Sequence, residues 1–536
     1  MTIKLLDCTL RDGGYLNNWE FGQSSMLNIF RRLVKSNIDI IEIGFLDDRE
    51  SKNLNRSINP NTQCYNELYS NEKKNHTFIT AMIDFGTCSI DNIAPKSETF
   101  IDAIRVIFKQ PKMYDALKFC HKLKEKGYDV FVNPVSITTY SDRNMLDLID
   151  LVNELEPYAM SLVDTYGLLH REKLFKYFYL LDNNLKSTIS IGYHAHNNFQ
   201  LAYSNAIELL NIKTKRNIVL DSSLYGMGKS AGNCNTELLA NYLNSFYNKE
   251  YDISEILNII ELEILKYKKI TDWGYQMTYY LAGANSCHPN YVQYLENKNM
   301  LRVQEINNIL ALIDEEHKLT FNKEYIEDLY LGYQQKNVDD SASIKMLSEE
   351  LTNKTVLLLG PGVSVKNEFD IIEDYINKND LILFSVNHIN TLFNANYIFI
   401  SNNKRYDQFM NNININKETK LILTSNIMTV ATNDNELIIN YSDLINKSSM
   451  IGQSALYLLI NLLIKIGTKK VVLAGFDGFS KYTQNYYDSQ LQFNDDKQNN
   501  DETTKAISEQ IQKFSKLIKI EFLTKSRYED KCVNNV

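Results

Sequence analysis

Short apolar runs and amphipathic stretches alternate through the first half of this chain, and this alternation limits the possible folds more than any other feature. The predicted strands are Ile3–Cys8, Ile38–Ile43, Thr77–Ile83, Ala103–Phe108, Val130–Val135, Ala159–Val163, Thr188–Tyr193 and Ile218–Ser222. The stretches with helical spacing between them include Ser25–Ser36, Tyr114–Lys126, Leu146–Glu154 and Leu201–Leu210. Eight alternating strand and helix units predict a closed parallel (β/α)₈ barrel, the TIM-barrel fold.

The 536 residues exceed what one ordinary core requires, so we expect a second, smaller domain after the barrel. Residues from about 240 to 335 read as helices, including Ser254–Tyr267 and Glu305–Asp314, and the next stretch is polar and aperiodic. We predict a barrel over 1–240, a helical extension over 241–335, a linker over 336–352 and a Rossmann-like α/β domain over 353–536.

The second α/β pattern begins at Thr355, where a buried strand runs into a glycine-rich turn that a helix follows from about Glu368. Further strands are predicted at Asp380–Val386, Tyr397–Ser401, Lys420–Thr424, Lys470–Ala474 and Ile518–Leu523. A strongly apolar helix, Ala455–Ile466, precedes one of these strands. Strands that alternate with helices indicate an open parallel sheet of the Rossmann-like kind.

Charge and composition exclude several classes of partner. The formal net charge is -9, and the sequence contains no basic run of the kind that follows a phosphate backbone, so we expect no nucleic-acid partner. The N-terminus does not resemble a signal peptide, and no segment reaches the roughly 18 apolar residues of a membrane span. The seven cysteines are scattered and odd in number, so we read them as reduced thiols. We expect a soluble, cytosolic protein.

Polar residues cluster directly after the predicted barrel strands, where such barrels carry their catalytic groups. In chain order these are Arg11 and Asp12 after the first strand, Glu42 at the second, Asp164 after the sixth, His194 and His196 after the seventh, and the Gly226–Asn233 loop after the eighth. Alternate residues of a strand point the same way, so His194 and His196 can present both imidazoles to one point. Asp12 can join them across the barrel mouth, and this set suits a divalent ion such as Mn²⁺, Mg²⁺, Zn²⁺ or Fe²⁺.

Five short motifs occur in a specific order along the first part of the chain. They are Asp7–Gly14 (DCTLRDGG), Ile41–Gly44 (IEIG), Val163–Gly167 (VDTYG), His194–Asn198 (HAHNN), and Gly226–Gly228 (GMG) leading to Ala231–Asn233 (AGN). Together they resemble the signatures of the DRE-TIM metallolyases, which include hydroxymethylglutaryl-CoA lyase, 4-hydroxy-2-oxovalerate aldolase, and isopropylmalate and homocitrate synthases. The HAHNN segment is most similar to the aldolase branch.

The resemblance implies a role for each matching residue. Asp12, His194 and His196 would bind the metal, and Asn233 would bind or border it. Arg11 would face the 2-oxo group of the substrate, where its fixed fork of donors can stabilise an enolate oxygen. The implied reaction joins a 2-oxo acid and an aldehyde by a new C–C bond, or cleaves such a bond. In both directions it passes through a pyruvate-type enolate.

The general base is where the sequence departs from the aldolase pattern. That branch has a histidine two residues beyond the glycine of RDG, and here the position is Tyr15. Tyr15 is a candidate for the base, for a hydrogen-bond donor or for a wall of the pocket. His288 and Lys229 are further candidates, although His288 is equally compatible with a helix-capping or core position. Glu42 is expected either to orient Arg11 or to form a buried ion pair.

In the second domain, Gly360, Gly362 and Ser364 follow a buried strand, and Asn387 and Asp477 follow two others. Glycines at such a turn allow the backbone to approach an anion at the start of a helix. The pattern resembles the nucleotide-binding fold of bacterial sialyltransferases and related domains of surface-polysaccharide pathways, without a clear counterpart of their catalytic histidine. The two hypotheses for this half are a second enzyme or ligand-binding module that acts on a nucleotide or nucleotide-linked sugar, and a module that docks a partner enzyme.

For the whole chain we predict a metal-dependent aldolase or lyase of cell-surface polysaccharide or unusual-sugar biosynthesis. We expect Mn²⁺ or Mg²⁺, with Zn²⁺ as an option, and a homo-oligomer. The alternative is a Claisen-type acyl-CoA synthase with a C-terminal docking module, although no acyl-CoA site can be located in the sequence.

Overall fold

The strands of the first half of the chain pair in parallel and close on themselves. We number them β1 to β8, and their bounds in the computed structural model are β1 Ile3–Asp7, β2 Ile40–Leu46, β3 Phe78–Asp84, β4 Ala103–Phe108, β5 Asp129–Pro134, β6 Ala159–Asp164, β7 Ser190–Ala195 and β8 Ile218–Ser222. Each pairs with the next, and β1 pairs with both β2 and β8, which closes the cylinder. The predicted eight-stranded parallel barrel is confirmed.

Residues 2–318, 320–410, 418–427, 436–446, 449, 451–479, 484–491 and 500–529 are described. The chain divides into two compact units, 1–289 and 290–536. The predicted boundaries at 240, 335 and 352 stay predictions. Within the predicted linker, Ser341–Leu351 forms a helix.

Helices follow the barrel strands because their apolar residues recur at helical spacing. Gln23–Lys35 shows the pattern, since Met26, Ile29, Phe30, Leu33 and Val34 form its buried stripe. The other helices between and after the strands are Thr62–Tyr69, Met113–Glu125, Asp142–Leu155, Arg171–Asn184, Ala202–Leu210 and Thr236–Tyr247. The unit ends with the helices Ile253–Ile259, Leu265–Lys268 and Met277–Ala284.

One irregularity of the barrel lies in β2. The pairing of β2 with β3 shifts between Glu42 and Phe45, and the two-residue strand Ile58–Asn59 pairs with the end of β2. Gly44 has a φ of 149°, and a Cβ there would lie 1.9 Å from the carbonyl oxygen of Ser57. A glycine is therefore required for the chain to pass this point, two residues after Glu42.

The second unit contains a seven-stranded parallel sheet. Its strands are β9 Thr355–Leu359, β10 Ile382–Val386, β11 Tyr397–Ile400, β12 Lys420–Thr424, β13 Glu436–Ile439, β14 Lys470–Ala474 and β15 Lys519–Phe522. Their spatial order is β13-β12-β11-β10-β9-β14-β15, so the order reverses between β9 and β14. The predicted α/β class is confirmed, and β13 is an additional strand at the sheet edge.

The helices of this unit pack a second core. Ala455–Ile466 begins after Ser454, whose side chain accepts from the backbone of Tyr457, and it ends at Gly467 with a φ of 84°. The other helices are Pro289–Glu296, Val303–Leu310, Lys323–Gln334, Ser341–Leu351, Ser364–Asn367, Phe369–Lys378, Asn403–Met410 and Asn500–Phe514. No helix in the described parts of the chain has the length and hydropathy needed to cross a membrane.

Candidate metal centre and active site

Arg11 and Asp12 are turned into the barrel mouth by a short helix that follows β1. The backbone N–H groups of Arg11 and Asp12 both donate to the carbonyl of Cys8, at 3.1 and 2.8 Å. The one-turn helix Thr9–Asp12 thus reverses the chain immediately at the strand end. Both charged side chains are buried, at 4% and 1% exposure.

His194 and His196 lie at the end of β7, and with Asp12 they form a buried cluster. One ligand atom from each of the three residues lies within 4.8 Å of the other two. The His194 and His196 rings are 5.3 Å apart and nearly perpendicular, which lets both face one point. The predicted convergence of these residues across the barrel mouth is present in the structure.

Asn233 completes the surroundings of Asp12. Its side-chain amide donates to Asp12 Oδ2 at 2.6 Å, and its backbone pairs with that of His196. The Gly226–Asn233 loop approaches so closely that a Cβ on Gly228 would lie 2.5 Å from the same carboxylate oxygen. The Asn198 side chain fixes the loop by accepting from the backbone of Ala231 at 3.2 Å. The HAHNN motif and the glycine loop therefore contact each other and together surround Asp12.

The donor set fits a divalent ion. The pKa of His196 is lowered to about 4 by burial, so its imidazole is neutral and available as a ligand at neutral pH. Burial opposes the ionisation of Asp12, but Arg11 and the two histidines outweigh it and hold its pKa well below the usual range. His196 Nδ1 and Asn233 Oδ1 are buried, and among the described residues neither has a hydrogen-bond partner. Such unused ligand atoms around one carboxylate are what a metal site requires.

Arg11 is held beside the cluster by two carboxylates. Its Nε donates to Glu42 Oε2 at 2.7 Å, and its Nη1 donates to Asp12 Oδ1 at 2.5 Å. Two fixed nitrogens set the plane of the guanidinium. Glu42 therefore both orients Arg11 and forms a buried ion pair, so the two interpretations of this residue describe one contact.

Two residues of this region were not predicted as part of the site. Arg105 on β4 and Asp221 on β8 are fully buried inside the barrel and form an ion pair with each other. Asp221 also accepts from His194 Nδ1 at 3.0 Å, which leaves Nε2 of His194 for an ion. The available signal was a charged residue inside an otherwise apolar strand, in AIRVIF and in IVLDS.

Comparison with known proteins identifies the family of the first part of the chain. Residues 2–262 match the family model described as HMGL-like. Residues 2–262 form an HMGL-like domain. The predicted relationship to the DRE-TIM metallolyases is thereby confirmed for this segment, and the family includes aldolases, lyases and Claisen-type synthases, all of them enzymes.

The similar proteins carry names from several of these classes. The chain is 24% identical over 255 residues to a 2-isopropylmalate synthase from Saccharolobus solfataricus, which covers 47% of this chain and 64% of that protein. It is 21% identical over 263 residues to a 4-hydroxy-2-oxovalerate aldolase from Pseudoalteromonas translucida, covering 48% and 75%. A crystal structure of HMG-CoA lyase from Bacillus subtilis aligns with 14% identity and a TM-score of 0.41, covering 50% and 94%. The chain thus spans less than two thirds of the synthase.

The three candidate bases lie in different settings of the first unit. The Tyr15 ring packs against Trp19 and Phe45, and the Lys229 ammonium lies 5.0 Å from its centre. Tyr15 is 39% exposed, and the partial burial of its phenol, followed by the Asp12 carboxylate, raises its pKa above the usual value. The pKa of His288 is lowered to about 4, first by burial and then by Lys229 and a second lysine. At neutral pH the phenol therefore holds its proton, whereas the imidazole can accept one.

Other polar residues near the HMGL-like site serve the fold. The Asp164 carboxylate accepts from the backbone N–H groups of Leu168 and Leu169, each at 2.9 Å, and so shapes the loop after β6. Cys8 donates to the carbonyl of Ser222 at 3.1 Å, and burial raises its thiol pKa.

In the second unit, four of the predicted nucleotide-site residues, Gly360, Gly362, Ser364 and Asp477, lie where two loops meet. The Ser364 N–H donates to Asp477 Oδ2 at 2.9 Å, and its hydroxyl donates to the other oxygen of that carboxylate. The backbone of Gly362 donates to Gly475 at 2.8 Å, and a Cβ on Gly360 would lie 2.4 Å from the Gly475 carbonyl oxygen. Glycine is thus required at this turn because two loops meet.

Asn387 lies apart from this turn, after β10. It has a φ of 58°, and its side chain accepts from the backbone of Ser401 at 3.0 Å. The next residue, His388, is buried, and its Nε2 has no hydrogen-bond partner in the described part of the chain. The nucleotide-binding role of the predicted residues stays a prediction.

Proposed function

We propose that the HMGL-like domain is a metal-dependent aldolase that forms or cleaves a C–C bond next to a 2-oxo acid. The observation that carries this proposal is the buried Asp12, His194 and His196 cluster with Arg11 fixed beside it. A bound divalent ion supplies a Lewis acid that stabilises negative charge on the oxygens of the substrate. We propose Mn²⁺ or Mg²⁺ as the ion, and the two imidazoles are also compatible with Zn²⁺.

Arg11 contributes a fixed cation at the enolate. In the cleavage direction the C3–C4 bond breaks, and its electrons become a pyruvate-type enolate. Because Glu42 and Asp12 hold the guanidinium plane, Arg11 can donate to the enolate oxygen without reorganising during the reaction. The same contact stabilises the nucleophile in the direction of aldol addition.

We assign the proton transfer at the 4-hydroxyl to His288, with Tyr15 as a hydrogen-bond donor to the aldehyde oxygen. The support is the opposite direction of their pKa shifts. His288 is neutral at pH 7 and can accept the proton, whereas Tyr15 is protonated and can donate. Lys229 lies over the Tyr15 ring and provides a cation near both groups.

A Claisen-type synthase is the second candidate, because similar proteins are named 2-isopropylmalate synthase and (R)-citramalate synthase. Both reactions need an enolate, so the metal cluster alone does not separate them. The experiment is to incubate the protein and Mn²⁺ with pyruvate and a panel of aldehydes, and in parallel with acetyl-CoA and 2-oxo acids. Release of free CoA, without aldol product, would reverse the assignment.

For the second unit we propose binding of a nucleotide or nucleotide sugar, which would connect the enzyme to cell-surface sugar metabolism. The supporting feature is the reversal of strand order between β9 and β14, because open α/β sheets bind ligands outside the strand ends at such a reversal. The buried His388 follows the adjacent strand β10. Addition of CMP and other nucleotides at about 100 times Kd should stabilise this unit by about 2.7 kcal/mol. If none of the nucleotides stabilises this unit, the hypothesis of a docking module is favoured instead.

A further inference from the structure

Arg105 and Asp221 are two buried charged residues that form an ion pair inside the barrel and that the proposed reaction does not use. They project into the barrel from β4 and β8, strands that are not neighbours in the sheet. Charged side chains in such a place are costly unless each has a partner. The groups that they contact therefore indicate which part of the molecule these two residues support.

The contacts form a chain from one metal ligand to another. Starting at Asp12, it passes through Arg11 and then Glu42 by the 2.5 and 2.7 Å hydrogen bonds already described. Glu42 Oε1 lies 3.2 Å from Arg105 Nη1, and Arg105 Nη2 donates to Asp221 Oδ2. The same Asp221 oxygen bonds His194 Nδ1.

The excess of negative charge in this series of contacts favours a cation beside Asp12 and His194, the two residues at its ends. The series contains two guanidinium groups and three carboxylates, which is one negative charge in excess. Arg105 is the cation that joins Glu42 to Asp221 in this series of contacts. Without Arg105, two buried carboxylates would each lose a partner, and both hold a residue of the active site in position.

We propose that Arg105 is a positioning residue of the metal centre, which it reaches through Asp221 and Glu42. Through Asp221 it holds the His194 tautomer that has a proton on Nδ1 and a free Nε2. Through Glu42 it holds the plane of Arg11. This inference rests on the metal-binding part of the proposed function, and it adds two residues that act without touching ion or substrate.

The test measures Mn²⁺ affinity by calorimetry and the tautomer of His194 by ¹⁵N NMR of the metal-free full-length protein. We expect Arg105→Met and Asp221→Asn each to weaken Mn²⁺ binding by about 10–100-fold. We expect the wild-type protein to show the Nδ1–H tautomer and both variants to show a mixture. Arg105→Lys keeps the charge without the fork of donors, so its affinity should lie between those of wild type and Arg105→Met.

Arg216→Met is the matched control. Arg216 is also a buried arginine of the barrel, and it donates to Asp182 and to the carbonyl of Leu185, away from the cluster. Its replacement should cost stability and leave Mn²⁺ affinity and the His194 tautomer unchanged. A general effect of losing a buried arginine would weaken Mn²⁺ binding equally in both proteins, and that outcome would overturn the inference.

The two proposals fail in different ways. If the wild-type protein binds no divalent ion, the proposed function is wrong. If it binds Mn²⁺ but Arg105→Met and Asp221→Asn bind it equally well with an unchanged tautomer, only the positioning role is wrong. If Arg105→Met does not fold, Asp221→Asn decides, because an amide of nearly the same shape removes the carboxylate and leaves the packing in place.

Discussion

The barrel mouth and the strand ends of the second sheet present polar residues after parallel strands in the same manner, yet they use them differently. In the barrel, Asp12, His194 and His196 form one cluster, and among the described residues His196 Nδ1 and the neighbouring Asn233 Oδ1 are buried without a hydrogen-bond partner. In the second sheet, Ser364 and Asp477 satisfy each other. A polar residue after a strand thus indicates a site only when its hydrogen-bonding groups remain available.

The most severe test of this contrast is removal of a metal ligand. Asp12→Asn or His194→Ala should reduce bound Mn²⁺ and aldol activity to background, because each change removes one of the three side chains whose ligand atoms converge in the described part of the chain. Both tryptophans of the chain, Trp19 and Trp273, lie in the first unit, so tryptophan fluorescence reports its unfolding alone. Saturating Mn²⁺ should stabilise this signal in the wild type and not in the variants.

The control for this prediction is His170→Ala, which removes an exposed histidine before the helix Arg171–Asn184. It should retain both Mn²⁺ and activity. Undiminished turnover of the wild-type enzyme after exhaustive chelation would end the metal-dependent assignment.

A second prediction separates the candidate bases within the barrel mouth. His288→Ala should lower kcat by ~10²–10⁴ with little change in Mn²⁺ affinity, because a neutral imidazole is lost and no ligand is affected. Tyr15→Phe should have a smaller effect on kcat, since it removes a donor and not the proton acceptor. The measurement is steady-state kinetics beside calorimetric titration of Mn²⁺. A larger loss in Tyr15→Phe than in His288→Ala would exchange the two roles.

The fold was predictable because the periodic spacing of apolar residues indicates where the strands and helices form. All eight barrel strands follow from the spacing of apolar residues, since a strand buried on both faces leaves a continuous apolar run. The edge strand Glu436–Ile439 was missed because four residues with an acidic first position give too short a signal. Sequence alone could thus define the core and not every edge.

The site was predictable only in part, and the division has a physical reason. His194 and His196 are close in sequence, and local spacing brings them together. Arg105 and Asp221 are 116 residues apart, so their pairing depends on barrel closure. Local spacing does not indicate which buried arginine faces which carboxylate. Nor could it reveal that Asp477 would satisfy Ser364, because these residues meet only when the sheet is formed.

A third prediction uses the pH dependence of the second unit. Burial lowers the pKa of His388 to about 4. The unfolded chain binds a proton near pH 6.5 and the folded chain does not, so stability falls as the pH drops from 6.5 towards 4. The loss should reach about 3 kcal/mol at pH 4. Pulse proteolysis in urea, with fragments assigned by mass, measures the unfolding of residues 290–536 separately from the tryptophan signal.

His388→Gln removes the titrating group, so its unfolding free energy should depend less on pH than that of the wild type. His121→Gln changes an exposed histidine of the first unit and should leave the dependence of residues 290–536 unaltered. Equal pH profiles for wild type and His388→Gln would mean that His388 is not buried as a neutral group.

The smallest expected effect concerns the turn at which the second sheet differs from the barrel. Asp477→Ala should destabilise residues 290–536 by about 1–2 kcal/mol, because the Ser364 N–H and hydroxyl lose their common acceptor. Asp374→Ala is the matched control, since it removes only a surface pairing with Lys378 that is worth at most about 0.5 kcal/mol. The same proteolysis assay with and without CMP then tests the contrast itself. If Asp477 is only a structural acceptor, any stabilisation by CMP persists in Asp477→Ala; if it contacts the nucleotide, as the sequence predicts, that stabilisation is lost. Equal stability of the two alanine variants would show that the contact between Ser364 and Asp477 does not hold this turn.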